Sequence, residues 1–299
     1  MKPLATGYRA ARRKPTSKVF YPTAAPIAPI LTDISKIPIL MQNQLPFCVE
    51  HAIAAYMMWL VYKTTGKIVT LSPRFLAAYT VQKMGITPTQ ALTYGTSCQD
   101  ALELLKPTIP STGDGCVGIC EDSFFPNDTT LPIEQYLDIG LISDAATANA
   151  AQYRISDFQI LANTEETTIQ QAIAQYGLAL YAIDVSANWY TPDWQYTGQF
   201  PLAPPNTQYP SVGGHLICGN GWDTNTNDWF RNSWSADWGQ QGNGYFAQND
   251  LPFVYEAAII EGLYVEPAPI SPTPTPSIPT EAPVDNVISE IVAEVERVL

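Results

Sequence analysis

Charge is scarce in this 299-residue chain. Only 14% of its residues are charged, against about a quarter in an ordinary soluble domain. Its polar surface must therefore come from Thr, Ser, Asn, Gln and Tyr. Histidine occurs twice, as His51 and His215, so candidates for proton transfer near neutral pH are few. No apolar run approaches the roughly 18 residues that span a bilayer. The longest, 52–62, stops at Lys63. No Cys-x-x-Cys pair occurs among the five cysteines, so a structural zinc site is not expected; no metal or cofactor is assigned. Basic charge is nearly absent past the first residues. Residues 1–18 hold Lys2, Arg9, Arg12, Arg13, Lys14 and Lys18, and the first acid is Asp33. The acidic remainder argues against nucleic acid as a main partner. The basic arm is matched instead to an acidic surface, including the protein's own.

What is present is apolar material: 46% of the chain is hydrophobic, which excludes a chain disordered throughout. Residues 1–35 read as a basic, Pro-spaced arm, with Pro22, Pro26 and Pro29 forbidding regular helix. Residues 48–63 are apolar almost all round, the pattern of a helix inside a protein. Pro46 places the start of that helix near Cys48. Further helices are predicted at 72–84, after Ser72-Pro73, and at 98–106, with Ser97 as cap. Residues 107–132 read as loop. Past residue 150 one more helix is predicted at 166–176. Short β-prone runs follow at 178–185, 215–219, 228–232, 243–247 and 257–265, with seven glycines between 213 and 244.

The division is thus a helical lobe over 36–150 and a β-rich lobe over 151–265. Residues 266–283, with seven prolines, read as a semi-rigid linker. Over 284–299, Val284, Ile288, Ile291, Val295 and Val298 make a coiled-coil-like seam. Its acidic flank suits a protein partner or self-association rather than a membrane.

Candidate chemistry centres on Cys48. A thiol at a helix start meets unpaired backbone N–H groups and the positive end of the dipole, which favour the thiolate. Gln42, six residues upstream, can offer its amide to an oxyanion beside the Cys48 N–H. His215 leads an apolar run after a glycine pair. Asn232, in Phe-Arg-Asn-Ser-Trp, can orient its ring, and Trp234 can shield that bond from water. His51, one turn past Cys48, reads as structural. Glu50 reads as compensation of the dipole. Cys98, Cys116 and Cys120 read as thiols, one disulfide or metal binding being the alternatives, and Cys218 as core.

These blocks resemble the papain-like cysteine peptidases. Gln42 and Cys48, in Gln-Asn-Gln-Leu-Pro-Phe-Cys, stand at the family's spacing. The run His215 to Trp222 is similar to its histidine block. Residues 232–245, Asn-Ser-Trp-Ser-Ala-Asp-Trp-Gly-Gln-Gln-Gly-Asn-Gly-Tyr, are similar to its asparagine block. The stretches 71–76 and 95–97 fit more loosely. The resemblance covers about 36–265 and looks nearest to the compact bacterial and viral members.

It implies an α+β, two-lobed fold. A helical left lobe would carry the cysteine helix, and a sheet- or barrel-like right lobe the histidine and asparagine. It implies a thiol endopeptidase acting on polypeptides, with Cys48, His215, Asn232 and Gln42 as catalytic residues. Gly95, Thr96, Gly214, Trp234 and Trp238 would line the substrate groove, Trp238 being equally a core residue. Departures are Pro46-Phe47 before the cysteine, with Phe47 expected to narrow the primary pocket, Ser235 for a glycine, and the inserted Asn243. Only 47 residues precede Cys48, so any latency falls to the arm.

The arm, linker and terminal seam motivate a second reading: an interaction protein anchored in an assembly such as a virion, on a retained peptidase fold. Acyl transfer to an amine is a third, which Asn232 in place of an aspartate disfavours. With no signal or spanning segment in view, the expected location is cytoplasmic or particle-associated.

Overall fold

The computed structural model describes residues 7–10, 14, 17–23, 27–107, 115–192, 201–225, 227–247 and 250–264. The proline-rich segment 266–283 and the seam at 284–299 lie outside the described residues.

The all-round apolar segment forms α1, Cys48–Thr65, with every residue from Cys48 to Val61 buried. It ends at Gly66 in the left-handed conformation, whose N–H donates to Tyr62 O, a glycine stop of the usual kind. Helices α2 (Pro73–Met84) and α4 (Cys98–Leu105) pack against it and each other. Ser72 caps α2 by accepting from Phe75 N, and Ser97 caps α4 by accepting from Asp100 N.

The sequence pattern does not show α3 (Pro88–Tyr94), α5 (Ile133–Tyr136) and α6 (Asp144–Ala150). They hold seven, four and seven residues, too short for a 3.6-residue period to register. Local capping starts two of them. Thr87 and Gln90 form a reciprocal capping box on α3, and Ser143 caps α6.

The second half supplies β3 (Phe158–Leu161), α7 (Glu166–Tyr176), β4 (Ala179–Ser186), β5 (Ser211–Trp222), β6 (Asp228–Arg231), β7 (Asn243–Phe246) and β8 (Val254–Ile260). The arm adds β1 (Val19–Phe20) and β2 (Ile30–Leu31). The sheet order is β1-β3-β8-β4-β5-β6-β7, with β2 also on β5. It is open: β1 and β7 stand at its ends, which corrects the barrel-like expectation. β5 is far longer than the run expected from 215, because Ser211–Gly214 continues the strand past the glycine pair and pairs with β4.

Alternation along the strands divides the interior. Leu180, Ala182, Leu216, Cys218, Ala258 and Ile260 face α1. Tyr181, Ile183, Ile217, Phe230, Ala257 and Ile259 face a second core with α7 and the tryptophans, as a period of two requires. Tyr56 ties α1 to the sheet: its hydroxyl lies 2.8 Å from Leu178 O and 3.2 Å from Ile260 O. Arg231, buried, donates to Ile37 O, Ile34 O and Asn243 Oδ1, fixing the loop that leads into α1. Among the described residues no helix is long and apolar enough to cross a membrane.

Tyr56→Phe removes the one donor that two buried carbonyls share. The expected loss is about 1–2 kcal/mol, read as a lower urea midpoint with an unchanged slope.

Candidate active site

The site is assembled where α1 begins against β5. Phe47, at φ −111° and ψ 41°, offers α1 no side-chain cap. The first N–H groups of the helix are thus left to what lies around Cys48. The Cys48 sulfur accepts from Leu216 N at 3.4 Å, which sets it beside the residue that follows His215. The N–H groups of Val49 and Gly7 also face it.

His215 is wholly buried. Its Nε2 lies 2.8 Å from Asn232 Oδ1. An amide oxygen only accepts, so Nε2 carries the proton and Nδ1 is the basic nitrogen. That Nδ1 has no hydrogen-bond partner among the described residues. Trp234 lies 4.9 Å from the imidazole, centroid to centroid, and Trp189 meets it edge-on at 6.3 Å. The two rings seal the His215–Asn232 bond from water.

Gln42 is tied to the same segment. Its backbone N–H donates to Ser233 O at 2.9 Å, and Ser233 Oγ donates to Gln42 Oε1 at 2.6 Å. With Oε1 anchored, the amide nitrogen is turned toward the loop before α1, where it donates to Leu45 O at 3.0 Å. Gln42, Cys48, His215 and Asn232 are thereby brought to one place. His51 is not part of it: Nδ1 donates to Phe47 O at 2.7 Å, and Asn127 Nδ2 donates to Nε2 at 3.1 Å.

The N-terminal arm lies across this site. Thr96 N donates to Gly7 O at 3.0 Å, Arg9 N to Thr96 O at 2.9 Å, and Tyr8 N to Gly214 O at 3.1 Å. Tyr8 is thus bridged to Thr96 as in a parallel sheet. A Cβ on Gly7 would collide with the Pro46 carbonyl, and one on Gly95 (φ +67°) with the Gly7 carbonyl. Only glycine serves at either position while the arm is seated. Lys14 anchors the arm further on, 3.1 Å from Asp100 and 2.6 Å from Glu103. What faces the sulfur from the arm is an N–H group.

Gly95, Thr96 and Gly214 therefore contact the arm itself. Trp234 lies over His215. Trp238 is 2% exposed, edge-on beneath Trp234 at 5.5 Å, and sits in the second core. Phe47 does not narrow the cleft. It is fully buried and stacks on Tyr136 at 5.4 Å, drawn into a small apolar cluster behind α1; the backbone of Pro46 faces Gly7.

Glu50 does more than face the dipole. It is fully buried, and its Oε2 accepts from Thr96 Oγ1 at 3.0 Å, so α1 holds the segment that the arm pairs with. Sequence reasoning missed this, because a first-turn acid has an adequate local explanation. It also missed Trp189, which has no motif around it, and Tyr8.

Burial sets the electrostatics. It pushes the Cys48 thiol up to about 12, with Glu50 adding to the rise. It pulls His215 down to about 4 against the opposing bond to Asn232.

Comparison with known proteins bears directly on this geometry. Residues 136–252 match the family model of the papain family cysteine proteases. Over that stretch, less than half of the chain, it is similar to this family. The matched residues hold His215 and Asn232, whereas Cys48 and Gln42 precede them.

No curated protein matches the chain in sequence. Among solved structures, xylellain, a cysteine protease from Xylella fastidiosa, superposes with a TM-score of 0.69 at 17% identity. That match covers 88% of this chain and 99% of xylellain. Procathepsin B S9 from Trypanosoma congolense gives 0.61 at 14% identity, covering 87% of each chain. Digestive procathepsin L 3 of Tenebrio molitor larval midgut gives 0.57 at 16%, covering 80% of this chain and 71% of that one. At such identities the likeness establishes the papain-like fold.

Since Gly7 admits no side chain, Gly7→Val is expected to unseat the arm. Alkylation of Cys48 by iodoacetamide at pH 7, followed by intact mass, should then run at least about tenfold faster than in the parent chain, a change of about 1.4 kcal/mol in arm occupancy. Equal rates would mean that the arm does not guard the thiol.

Proposed function

We propose that this papain-like chain is a thiol endopeptidase working through Cys48, His215 and Asn232, held latent while residues 7–9 occupy its cleft. The observation that carries the reading is the His215–Asn232 bond of 2.8 Å. It leaves Nδ1 proton-free beside a strand whose next N–H touches the Cys48 sulfur.

When the arm leaves, water and substrate reach the site and the desolvation of Cys48 and His215 is relieved. The thiol proton passes to His215 Nδ1. The α1 N-terminus favours the resulting thiolate, and Asn232 steadies the imidazolium. The thiolate adds to the peptide carbonyl carbon. The oxyanion is met by Cys48 N–H and the Gln42 amide, the latter held by Ser233. Collapse breaks the C–N bond as His215 gives its proton to the leaving amine. Water, deprotonated by His215, then attacks the thioester and releases the acid and the thiolate.

The test uses the full chain opened by Gly7→Val and a mixed peptide library read by mass spectrometry. Cleavage is expected, abolished by Cys48→Ala. Gln42→Ala should lower kcat/KM by about 10²-fold, the usual cost of one oxyanion donor. A chain whose Cys48 alkylates rapidly but which cuts no peptide would refute the reading.

A further inference from the structure

Gln42 is held from two sides. On one, Ser233 takes its backbone N–H and its Oε1, and Met41 is bridged to Trp234. On the other stands the loop 127–129. Asn127 Nδ2 donates to Met41 O at 3.4 Å, and Asn43 Nδ2 donates to Thr129 Oγ1. Asn43 has a φ of +49°, a left-handed conformation that a residue other than glycine keeps only when its surroundings hold it there.

The direction of the Asn127 amide follows from its neighbours. Phe47 O only accepts, so His51 Nδ1, 2.7 Å away, carries the ring proton. Nε2 is then the bare nitrogen, and it accepts from Asn127 Nδ2 at 3.1 Å. Tyr136 Oη donates to Asn127 Oδ1 at 2.7 Å. One amide hydrogen thus goes to His51 and the other to Met41 O. Turned over, the amide would set its oxygen against a ring nitrogen and a carbonyl, both acceptors. Burial favours the neutral His51 that this arrangement needs, pulling the ring down to about 4.

Both partners of that amide are themselves fixed. His51 is fully buried on α1, one turn beyond Cys48. Tyr136 is fully buried and stacked on Phe47, and Arg74 Nε donates to its carbonyl at 2.9 Å. The Asn127 amide is therefore referenced to the helix that begins at Cys48, and it passes that reference to the segment that carries Gln42.

Resting on the peptidase reading above, we infer that Asn127 is a positioning residue for the oxyanion: with its amide turned by His51 and Tyr136, it holds Met41 O and so fixes Gln42 relative to the Cys48 N–H. It touches neither substrate nor thiolate. Its effect falls on the tetrahedral intermediate, where the Gln42 amide acts, and spares the thiolate.

The test compares two reactions of Cys48 in the full chain opened by Gly7→Val. Peptide hydrolysis builds an oxyanion. Alkylation by iodoacetamide displaces iodide from a methylene carbon and builds none. Asn127→Ala should lower kcat for hydrolysis about tenfold, with KM and the alkylation rate within about twofold of the opened parent. Asn127→Asp keeps the bond from Tyr136 but donates neither to Met41 O nor to His51, so it should lose as much. Added to Gln42→Ala, Asn127→Ala should cost less than about twofold more, because the group it positions is gone.

A merely structural role would slow alkylation and hydrolysis alike, or add its full loss to that of Gln42→Ala. Either result would overturn the inference, as would hydrolysis by Asn127→Ala at the parent rate. An opened parent that cuts no peptide would overturn the peptidase reading and this inference together, whereas a cutting parent indifferent to Asn127 overturns the inference alone.

Discussion

The whole arrangement follows from burying α1. A helix apolar on every side must be covered on every side. Here the cover comes from β4, β5 and β8 on one flank, α2 and α4 on another, and the 37–46 loop near its start. Those elements converge at the N-terminus because the helix enters there from Pro46. That end also carries unpaired N–H groups. Packing and chemistry thus share a cause: the pressure that hides Tyr56, Met57 and Trp59 also brings β5, and with it His215, against Cys48.

Polar groups caught in that convergence are held in a chain. Arg231 holds the loop carbonyls of Ile34 and Ile37. Asn232 takes His215. Ser233 takes Gln42 by both backbone and hydroxyl. Three consecutive residues of one strand end thus orient His215, Gln42 and the entry loop. A shift of this segment would move all three together, which explains why Trp234 and Trp189 are packed over it so closely.

Much of this was legible in the sequence, and the misses have physical reasons. Cys48, Gln42, His215 and Asn232 were singled out by their spacing and by the resemblance it carries, and the fold brings them into one region. Ser97 was readable as a cap from the local sequence. The short helices α3, α5 and α6 were not, since they bury too few residues for a period. Glu50 and Trp189 act through partners 46 and 45 residues away, Thr96 and Trp234, and no local pattern encodes such a meeting. Phe47 was misjudged because its neighbour Pro46 lines the cleft, whereas Phe47 itself turns into the apolar cluster with Tyr136.

On the proposed reading, the arm's chemistry makes latency a balance. Three backbone bonds seat residues 7–9, each worth about 1 kcal/mol net. The exposed Lys14 pairs add a few tenths to about 1 kcal/mol, and salt weakens them. Phe20, buried in the second core, tethers the segment, so closing requires little loss of translational freedom. About 2.7 kcal/mol suffices for a 99:1 preference, which this set of contacts meets without greatly exceeding. Small changes therefore move the closed fraction far. A basic arm on an acidic body serves this balance better than an apolar one would. Its attraction weakens with ionic strength or with a competing cationic chain, whereas buried apolar area would hold under both conditions. The uneven charge of the sequence, basic at the start and acidic after it, thus reads as the setting of a reversible closure.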